Sequence, residues 1–353
     1  MLIELHNPPK SQYKNIQKQS LQIKQCLLQA DEYFQAAENI SDAIRPLLLY
    51  YGTMSLALCE LLFKGDGNAS LDSARGKHAH HGLELKIDGN PSETESLLVS
   101  ASALSAIPHI RQNEERFGTF ELWHRGSREQ PFAGKHVIYL ENGQQQVTHR
   151  CIATPSINRF PGMPKGGVDL LWCFKNTPGL RNILSDHNIN SDLVEGSMSV
   201  TEDQRTGEWF NTVVIHPYHE DQLINCLSNI EVDAKDYELL TIVEMPSGII
   251  VRTKFGRNHP TNGSRMPMGF QISTDSIMFC SDNKILNEFG VYYTGLYILG
   301  NYCRYYPDMW MNDVDKCTDL YIIATRFMDI AADRLPIIAC AELRGEYPIE
   351  RVL

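Results

Sequence analysis

The stretch Pro46–Phe63, with the sequence PLLLYYGTMSLALCELLF, limits what this chain can fold into more than any other segment. It is 18 residues long and mostly apolar, which is close to the lower limit for crossing a bilayer. It also contains Gly52 and Glu60, and the sequence has no second span of this kind. Apolar side chains repeat along it at three- and four-residue steps, which gives a helix one wide apolar face. We therefore predict a buried core helix and no membrane contact.

Helix-favouring segments lie at both ends of the chain, and short β-branched or aromatic segments lie between them. With 42% hydrophobic and 21% charged residues, the composition is that of a globular protein. We predict a mainly helical α+β fold. Its helical core is formed by residues 1–125 and 285–353, and residues 126–284 are a β-rich insertion. The two chain termini would then lie near each other.

The periodicity of the sequence predicts individual helices and strands. The predicted helices cover residues 11–38, 46–63, 93–107 and 110–117, two short stretches at 169–184 and 221–227, a segment around 289–303 that ends before Pro307, and 318–335. Pro336 is expected to begin a final short element. The predicted strands cover residues 136–140, 209–215, 239–243, 249–253 and 276–280. The Pro246–Gly248 segment between two of these strands predicts a hairpin turn.

Charge and cysteine content restrict the classes of function. The sequence has 32 Lys and Arg residues against 43 Asp and Glu residues, a formal net charge of −11. A polyanion would therefore need a local basic patch. The nine cysteines are widely spaced, and no C-x-x-C motif occurs, which argues against a disulfide framework and a zinc ribbon. The histidines at 78, 80, 81, 216 and 219 also lack the spacing of a known zinc site. The first ten residues, MLIELHNPPK, show no basic region followed by an apolar stretch, so we expect no signal peptide. We predict a cytoplasmic protein without metal or cofactor.

Three short blocks of sequence resemble the landmarks of one bacterial family. They are Arg45-Pro46-Leu47-Leu48-Leu49-Tyr50-Tyr51-Gly52, then His81-Gly82-Leu83, then the segment from Tyr292-Tyr293-Thr294-Gly295-Leu296 to Arg304-Tyr305-Tyr306-Pro307-Asp308-Met309-Trp310. They occur in the same order as the landmarks of the YaaC-like family and resemble them. In that family a helix ends in Arg-Tyr-x-Pro-x-x-Trp. The resemblance implies a helical fold with a β insertion, and it implies no particular reaction. The helical core also resembles HEPN domains, the bundles found in many bacterial RNases, toxins and defence proteins.

The block that begins at Arg304 has a structural interpretation as well as a functional one. Pro307 ends the helix, and Tyr305 and Trp310 can fold back against it. Arg304 can meet the last carbonyls of the helix, stack on an aromatic ring, or serve as a site residue. The sequence leaves these alternatives open.

Arg75, His80 and His81 form the candidate catalytic set. Their R-x4-H and R-x5-H spacings lie within those of the HEPN ribonucleases that the core resembles. In that chemistry a neutral histidine moves the proton of a ribose 2′-hydroxyl or of the leaving oxygen, an arginine stabilises charge on the phosphate, and no metal is needed. Gly76 departs from the polar residue that usually follows the arginine. Alternatively, His81-Gly82 marks a turn whose histidine bonds a backbone carbonyl, or the cluster binds a ligand.

Two stretches without acidic residues predict a local basic face. Residues 245–274 and 142–168 contain no Asp or Glu. If their loops converge, their cations form a surface suited to phosphates, with Phe255 and Phe160 placed to stack on bases. A solvated hairpin and an irregular connection are the alternative. The candidate nucleic-acid-binding residues are Arg252, Lys254, Arg257, Arg265, Arg150, Arg159 and Lys165.

Three functions remain open on these grounds. The first is a non-catalytic or conditionally active component of a larger bacterial assembly, of antiviral-defence or toxin type, that contacts a protein partner or a second copy and also nucleic acid. The second is a metal-independent endoribonuclease that uses Arg75 with His80 or His81, as a dimer that brings two motifs together. The third is a small-molecule or nucleotide binder without turnover.

Overall fold

The computed structural model describes residues 2–65, 69–72, 80–93, 96–111, 115–127, 132–152, 160–216, 238–245, 248–256, 269–271, 277–280 and 285–344. Helical residues outnumber strand residues there, so the mainly helical α+β class is confirmed, while the likeness to HEPN bundles stays a prediction. The helices are α1 (Leu2–His6), α2 (Tyr13–Glu38), α3 (Arg45–Lys64), α4 (Leu97–Ser102), α5 (Thr119–Gly126), α6 (Leu170–Lys175), α7 (Arg181–Asp186), α8 (Glu288–Tyr305), α9 (Pro307–Lys316) and α10 (Asp319–Arg344). The strands are β1 (Leu83–Ile87), β2 (Leu104–Pro108), β3 (Phe132–Tyr139), β4 (Gln145–Ile152), β5 (Val168–Asp169), β6 (Leu193–Asp203), β7 (Glu208–His216), β8 (Glu238–Met245), β9 (Gly248–Gly256), β10 (Gly269–Gln271) and β11 (Ile277–Cys280).

The chain divides into two compact units. The first unit comprises Met1–Ser127, Phe160–Ile189 and Ile285–Ala339. The second comprises Arg128–Arg159, Asn190–Lys284 and Cys340–Leu353. The predicted insertion spans residues 126–284, and its segment Phe160–Ile189 lies in the first unit. Helix α6 explains this placement, because its Phe174 is fully buried and lies 5.5 Å, between ring centroids, from Phe327 of α10.

Helix α3 is the core helix of the first unit, and it corresponds to the apolar stretch of the sequence. It packs against α2 and α8. By length and composition it could cross a membrane, with a mean hydropathy of 1.4, but 67% of that window is buried inside the protein. Its fully buried side chains include Leu49, Tyr50 and Leu62. Pro46 lies in the first turn, where its missing N–H costs no helical hydrogen bond.

Polar contacts as well as apolar packing join the two ends of the chain in this unit. Nη2 of Arg45, at the start of α3, donates to Oδ1 of Asp329 in α10 at 2.7 Å. Nε1 of Trp310 in α9 donates to the carbonyl of Asp42 at 2.9 Å. The helical core is therefore assembled from both ends of the sequence. The predicted proximity of the two termini lies outside the described residues.

The block after α8 packs only in part as predicted. The α8 helix ends at Tyr305 and α9 begins at Pro307. Trp310 is fully buried and lies 6.1 Å from the ring of Tyr302. Tyr305 is 60% exposed, so the expectation that it folds back against the helix is wrong.

A three-stranded antiparallel sheet in the first unit is ordered β1-β2-β5, and its central strand β2 lies where a helix was predicted. Helix α4 covers only Leu97–Ser102, and Ile110 and Arg116 form an isolated β-bridge. The helix prediction for residues 93–107 is therefore wrong outside α4, and the prediction for 110–117 is wrong throughout its described part. The side chains of β2 are alternately buried and half-buried, as in a strand. The segment is a strand because pairing with distant strands overrides its local helical preference.

Helix α10 runs through Pro336. The prediction that a new element begins at this proline is wrong. A proline inside a helix removes one backbone hydrogen bond. Leu335 and Ile338 on either side of it are buried while Pro336 is exposed, so packing of the neighbouring side chains offsets the missing bond.

The second unit is built on an eight-stranded sheet. Its main order is β10-β11-β6-β7-β9-β8, and β3 pairs with both β6 and β4. The 11-residue strand β6 accommodates β11 along its first part and β3, in parallel, along its last part. All five predicted strands are confirmed, as parts of β3, β7, β8, β9 and β11. Strands β8 and β9 pair antiparallel with Met245 opposite Gly248, as the predicted hairpin requires, and the predicted helix at 221–227 lies outside the described residues.

Candidate functional site

The turn His80–Gly82 is fixed by the close approach of two glycines. Gly82 has a φ of +86° and Gly118 a φ of +112°, values that favour glycine. A Cβ on Gly118 would lie 2.4 Å from both Cα and N of Gly82. Thr119 donates to the carbonyl of His80 from its backbone N–H at 2.9 Å and from its hydroxyl at 3.1 Å. The turn therefore presents its two histidine side chains from a fixed backbone.

His81 is half-buried and is held by tyrosines of the helical core. Its Nδ1 is hydrogen-bonded to the hydroxyl of Tyr50 in α3, at 2.6 Å. Its ring lies 6.2 Å from that of Tyr297 in α8, and the Tyr297 hydroxyl donates to the carbonyl of Leu83 at 2.7 Å. The turn at His81-Gly82 is observed, but the partner of the imidazole is a tyrosine hydroxyl rather than a backbone carbonyl.

Arg304 is brought to the same place by the next residue of α3. Nη1 of Arg304, at the end of α8, donates to the hydroxyl of Tyr51 at 2.9 Å. The guanidinium carbon also lies 5.0 Å from the centroid of the Tyr305 ring. Arg304 is exposed, so its remaining N–H donors can reach a ligand. Tyr50 and Tyr51 therefore hold a histidine and an arginine from distant parts of the sequence.

Electrostatics keep His81 neutral at neutral pH. Burial lowers the pKa of His81 below its ordinary value of 6.5, and Coulombic interactions with Arg304 and then with His80 lower it further. Burial also raises the pKa of Tyr50 well above its ordinary value, and the neighbouring Tyr293, Tyr297 and Tyr51 add to that shift. A neutral imidazole beside an exposed guanidinium can accept a proton and hold an anion.

His80 points to a different group of rings. Its imidazole lies 5.9 Å from that of His109, at an interplanar angle of 9°. It also lies 5.1 Å from the ring of Phe117. The guanidinium carbon of Arg111 lies 3.5 Å from the centroid of the Phe117 ring, a cation–π contact. Neighbouring histidines of one turn thus contact two separate clusters.

The structure places the other sequence-predicted residues as follows. Arg75, Arg159, Arg257 and Arg265 lie outside the described residues, so the predicted Arg75–His80 and Arg75–His81 pairs remain predictions. Lys165 is exposed in a turn of the first unit. Phe160 is buried, so the expectation that it stacks on bases is wrong.

Arg252 and Lys254 lie in β9, and Arg150 lies in β4. Strands β7, β6 and β3 separate β9 from β4. At about 4.8 Å per strand spacing, this order sets the two strands roughly 19 Å apart. The convergence of the two basic stretches therefore stays a prediction.

The two tyrosines that organise the site were not among the predicted site residues. Tyr50 and Tyr51 occur inside the apolar stretch, where a tyrosine pair indicates core packing as readily as function. For Arg304, a role as a site residue was one of three alternatives that the sequence left open. Within the part of the chain that the structure describes, no group of three or more His, Cys, Asp or Glu side chains could hold a metal ion.

Comparison with known proteins adds one finding. A family model described as YaaC-like Protein matches residues 2–94 and 168–343, which is more than half of the chain. These ranges contain all three blocks from which the site is built. Curated proteins and solved structures gave no match.

Proposed function

The chain belongs to the YaaC-like protein family, and on that premise we propose that it binds a phosphate-bearing single-stranded nucleic acid at His81 and Arg304. The protein acts as one component of a larger bacterial assembly, of defence or toxin type. The observation that carries the proposal is the paired contact of Tyr50 with His81 and of Tyr51 with Arg304. It supports an anion site because it fixes a neutral donor–acceptor ring beside an exposed cation.

The choice of ligand follows from charge and from the surrounding rings. The protein carries a net charge of −11, so a polyanion is attracted only where cations are locally concentrated. An arginine whose planar donors are exposed suits a phosphate better than a single point charge does. The exposed ring of Tyr305 beside Arg304 offers a surface on which a base can stack.

Fluorescence anisotropy with labelled single-stranded RNA and DNA tests this proposal. Binding must strengthen as salt falls, because phosphate contacts release counterions. Arg304→Gln is expected to weaken binding about tenfold, the typical value of a hydrogen bond to a charged group. Arg326→Gln removes the same charge from an exposed position on α10 and is the matched control. Absence of binding at low salt, or equal weakening by both variants, would contradict the proposal.

The protein-contact part of the proposal concerns helix α2. This helix exposes Leu21 by 56% and Leu28 by 47%, and positions seven apart lie on one side of a helix. A second copy of the chain is the partner we propose. Light scattering should give a mass above the 40.1 kDa of one chain, and a Leu21→Glu, Leu28→Glu variant should return it to one chain. A wild-type protein of single-chain mass at high concentration would contradict the dimer.

We propose a cytoplasmic location for the protein. The described cysteines include five that are buried or half-buried as free thiols and the exposed Cys317, also free. Free thiols suit a reducing compartment. Fractionation of cells that express the native gene would test this location, and recovery with membranes or outside the cell would contradict it.

Metal-independent cleavage of RNA is the second candidate, and the neutral state of His81 favours it. With its proton on Nδ1 and donated to Tyr50, His81 would present an unprotonated Nε2 to a ribose 2′-hydroxyl. The 2′-oxygen would attack phosphorus as Nε2 takes its proton, and the 5′-oxygen would leave with a proton from solvent, giving a 2′,3′-cyclic phosphate. Arg304 would stabilise the charge on the phosphate, in the role first predicted for Arg75.

Incubation of RNA in the presence of EDTA tests the cleavage candidate. We expect cleavage by wild type, loss of at least about a hundredfold in His81→Asn, and retained cleavage in His80→Asn. Equal background cleavage by the wild type and both variants would remove the enzyme interpretation and leave the binding proposal intact. An Arg75→Gln variant then shows whether Arg75 or Arg304 supplies the arginine.

A further inference from the structure

Beside the His80 side of the turn lies a depression lined with arginines. Its volume is about 80 Å³, and its lining includes Arg111, Arg116 and Arg125 together with Glu115 and Glu121. One water molecule needs roughly 15 Å³ of cavity volume, so the depression can hold several waters or one phosphate group. Its lining therefore has one more cation than anions, in a chain of net charge −11.

The three arginines differ in the groups that their guanidinium ions contact. Nε of Arg125 donates to Oε1 of Glu121 at 3.0 Å, so these two charges largely cancel. Arg111 is exposed and lies with its guanidinium 3.5 Å above the centroid of the Phe117 ring. Stacking on a ring leaves the N–H edges of a guanidinium directed outward in its plane. Arg111 can therefore contact an anion without giving up its ring contact.

Arg116 is the second cation that lines the depression. Its Nη1 lies 3.4 Å from the position that a Cβ on Gly162 would take, next to Nε2 of His124. Burial lowers the pKa of His124, and the charge of Arg116 lowers it further against the opposing effect of Glu121. Arg116 therefore lines the depression and is also a charged neighbour of the His124 imidazole.

Aromatic rings border the same depression. Phe117 is part of its lining, and the His80 ring is 5.1 Å from Phe117 and 5.9 Å from the nearly parallel His109 ring. Rings next to arginines are the combination that single-stranded nucleic acids use, with a base on the ring and a phosphate on the cation.

We propose that Arg111 and Arg116 bind a phosphate group in this depression, with the adjoining base on the neighbouring rings of His80 and His109. His80 and His81 are consecutive, with Cα atoms about 3.8 Å apart. A strand that crosses the turn would then place one phosphate at Arg111 and Arg116 and another at Arg304. This last step rests on the proposed function, whereas the phosphate site in the depression does not.

Anisotropy titrations of the full chain with a short labelled single-stranded RNA test the inference. Arg111→Gln and Arg116→Gln should each weaken binding about tenfold. Each should also reduce the slope of log affinity against log salt by about 0.7, the value for one lost phosphate contact on a single strand. Arg111→Lys should keep the wild-type slope because it keeps the charge. Arg326→Gln, with its exposed position on α10, should match wild type in both quantities.

The outcomes separate this inference from the proposed function. Wild-type affinity and slope in both Arg111→Gln and Arg116→Gln would overturn it, whatever Arg304→Gln does. Weakening in these two variants with none in Arg304→Gln would support the depression and contradict the site at His81. Competition by polyglutamate as strong as that by unlabelled RNA would overturn the assignment to phosphate.

Discussion

The hydroxyl of Tyr50 lies 2.6 Å from Nδ1 of His81, 31 positions further along the chain. The hydroxyl of the next residue, Tyr51, accepts a hydrogen bond from Arg304, 253 positions further along. Both tyrosines belong to the buried helix α3. One helix of the core therefore sets the separation between the imidazole and the guanidinium, so the stability of the core and the geometry of the site depend on the same packing.

Arg304→Gln is predicted to raise the pKa of His81. Burial is the largest cause of the lowered pKa, and the charge of Arg304 is the next, so removing that charge should move the pKa upward without restoring the ordinary value of 6.5. An NMR titration of the imidazole Cε1–H resonances measures the change. His124, whose lowered pKa has burial and Arg116 rather than Arg304 among its causes, is the internal control. An unchanged His81 titration would show that Arg304 does not act on this ring.

The free energy of unfolding is predicted to fall as pH drops below about 6.5. The folded-state pKa values of His81 and His124 are lowered from the ordinary value of 6.5. Below that value the unfolded chain binds protons that the folded chain does not. Their contribution is therefore complete above pH 6.5 and is lost as pH falls toward the folded-state pKa values. Urea unfolding at a series of pH values should show a shallower loss in a His81→Asn, His124→Asn variant, and a parallel loss would contradict this assignment.

Gly118→Ala is predicted to destabilise the protein by about 3 kcal/mol, the sum of a left-handed backbone penalty and a steric clash. The new Cβ would lie 2.4 Å from Cα and N of Gly82, at a φ of +112°. Gly89→Ala is the matched control, because Gly89 has a φ of +81° and nothing within 4 Å of the added Cβ. It should cost only about 1 kcal/mol. Equal losses in urea unfolding would mean that the contact between the two glycines does not hold the turn.

Arg334→Ala is predicted to lower the free energy of unfolding by roughly 3–5 kcal/mol, because it leaves a buried carboxylate without its cation. Nε and Nη2 of Arg334 in α10 donate to Oε1 and Oε2 of Glu288 in α8, each at 2.8 Å. Only 4% of the Glu288 side chain is exposed. The double variant Glu288→Gln, Arg334→Met should recover much of the loss, since it removes both charges together. A double variant as unstable as the sum of the single ones would argue against a coupled pair.

The sequence predicted the helices and strands that local signals define. The apolar stretch that contains Pro46 and Phe63 predicted α3, and short segments rich in β-branched or aromatic residues predicted five of the eight strands of the larger sheet. A helix was predicted at Leu104, where the structure has strand β2. Pairing with β1 and β5, rather than the neighbouring residues in sequence, determines the conformation there. Pro336 was predicted to begin a final short element, because the burial of Leu335 and Ile338 that accompanies the continuing helix cannot be seen in the local sequence.

The site was only partly predictable for the same reason. His81 stood out through its place in a polar cluster before Gly82, and Arg304 through its place before a proline. Nothing in the sequence indicates that two consecutive tyrosines of an apolar helix hydrogen-bond these side chains, Tyr50 to His81 and Tyr51 to Arg304. Such pairings follow from the packing of α3 against α8, which only the fold supplies.

The most direct test of the central claim is the pKa of His81, measured by NMR with and without a saturating short single-stranded RNA. A phosphate held between Arg304 and His81 adds negative charge beside the imidazole, which favours its protonated form. The account predicts that bound RNA raises the pKa of His81 and that Arg304→Gln abolishes the rise at equal saturation. RNA that binds to saturation and leaves the titration of His81 unchanged would contradict the claim.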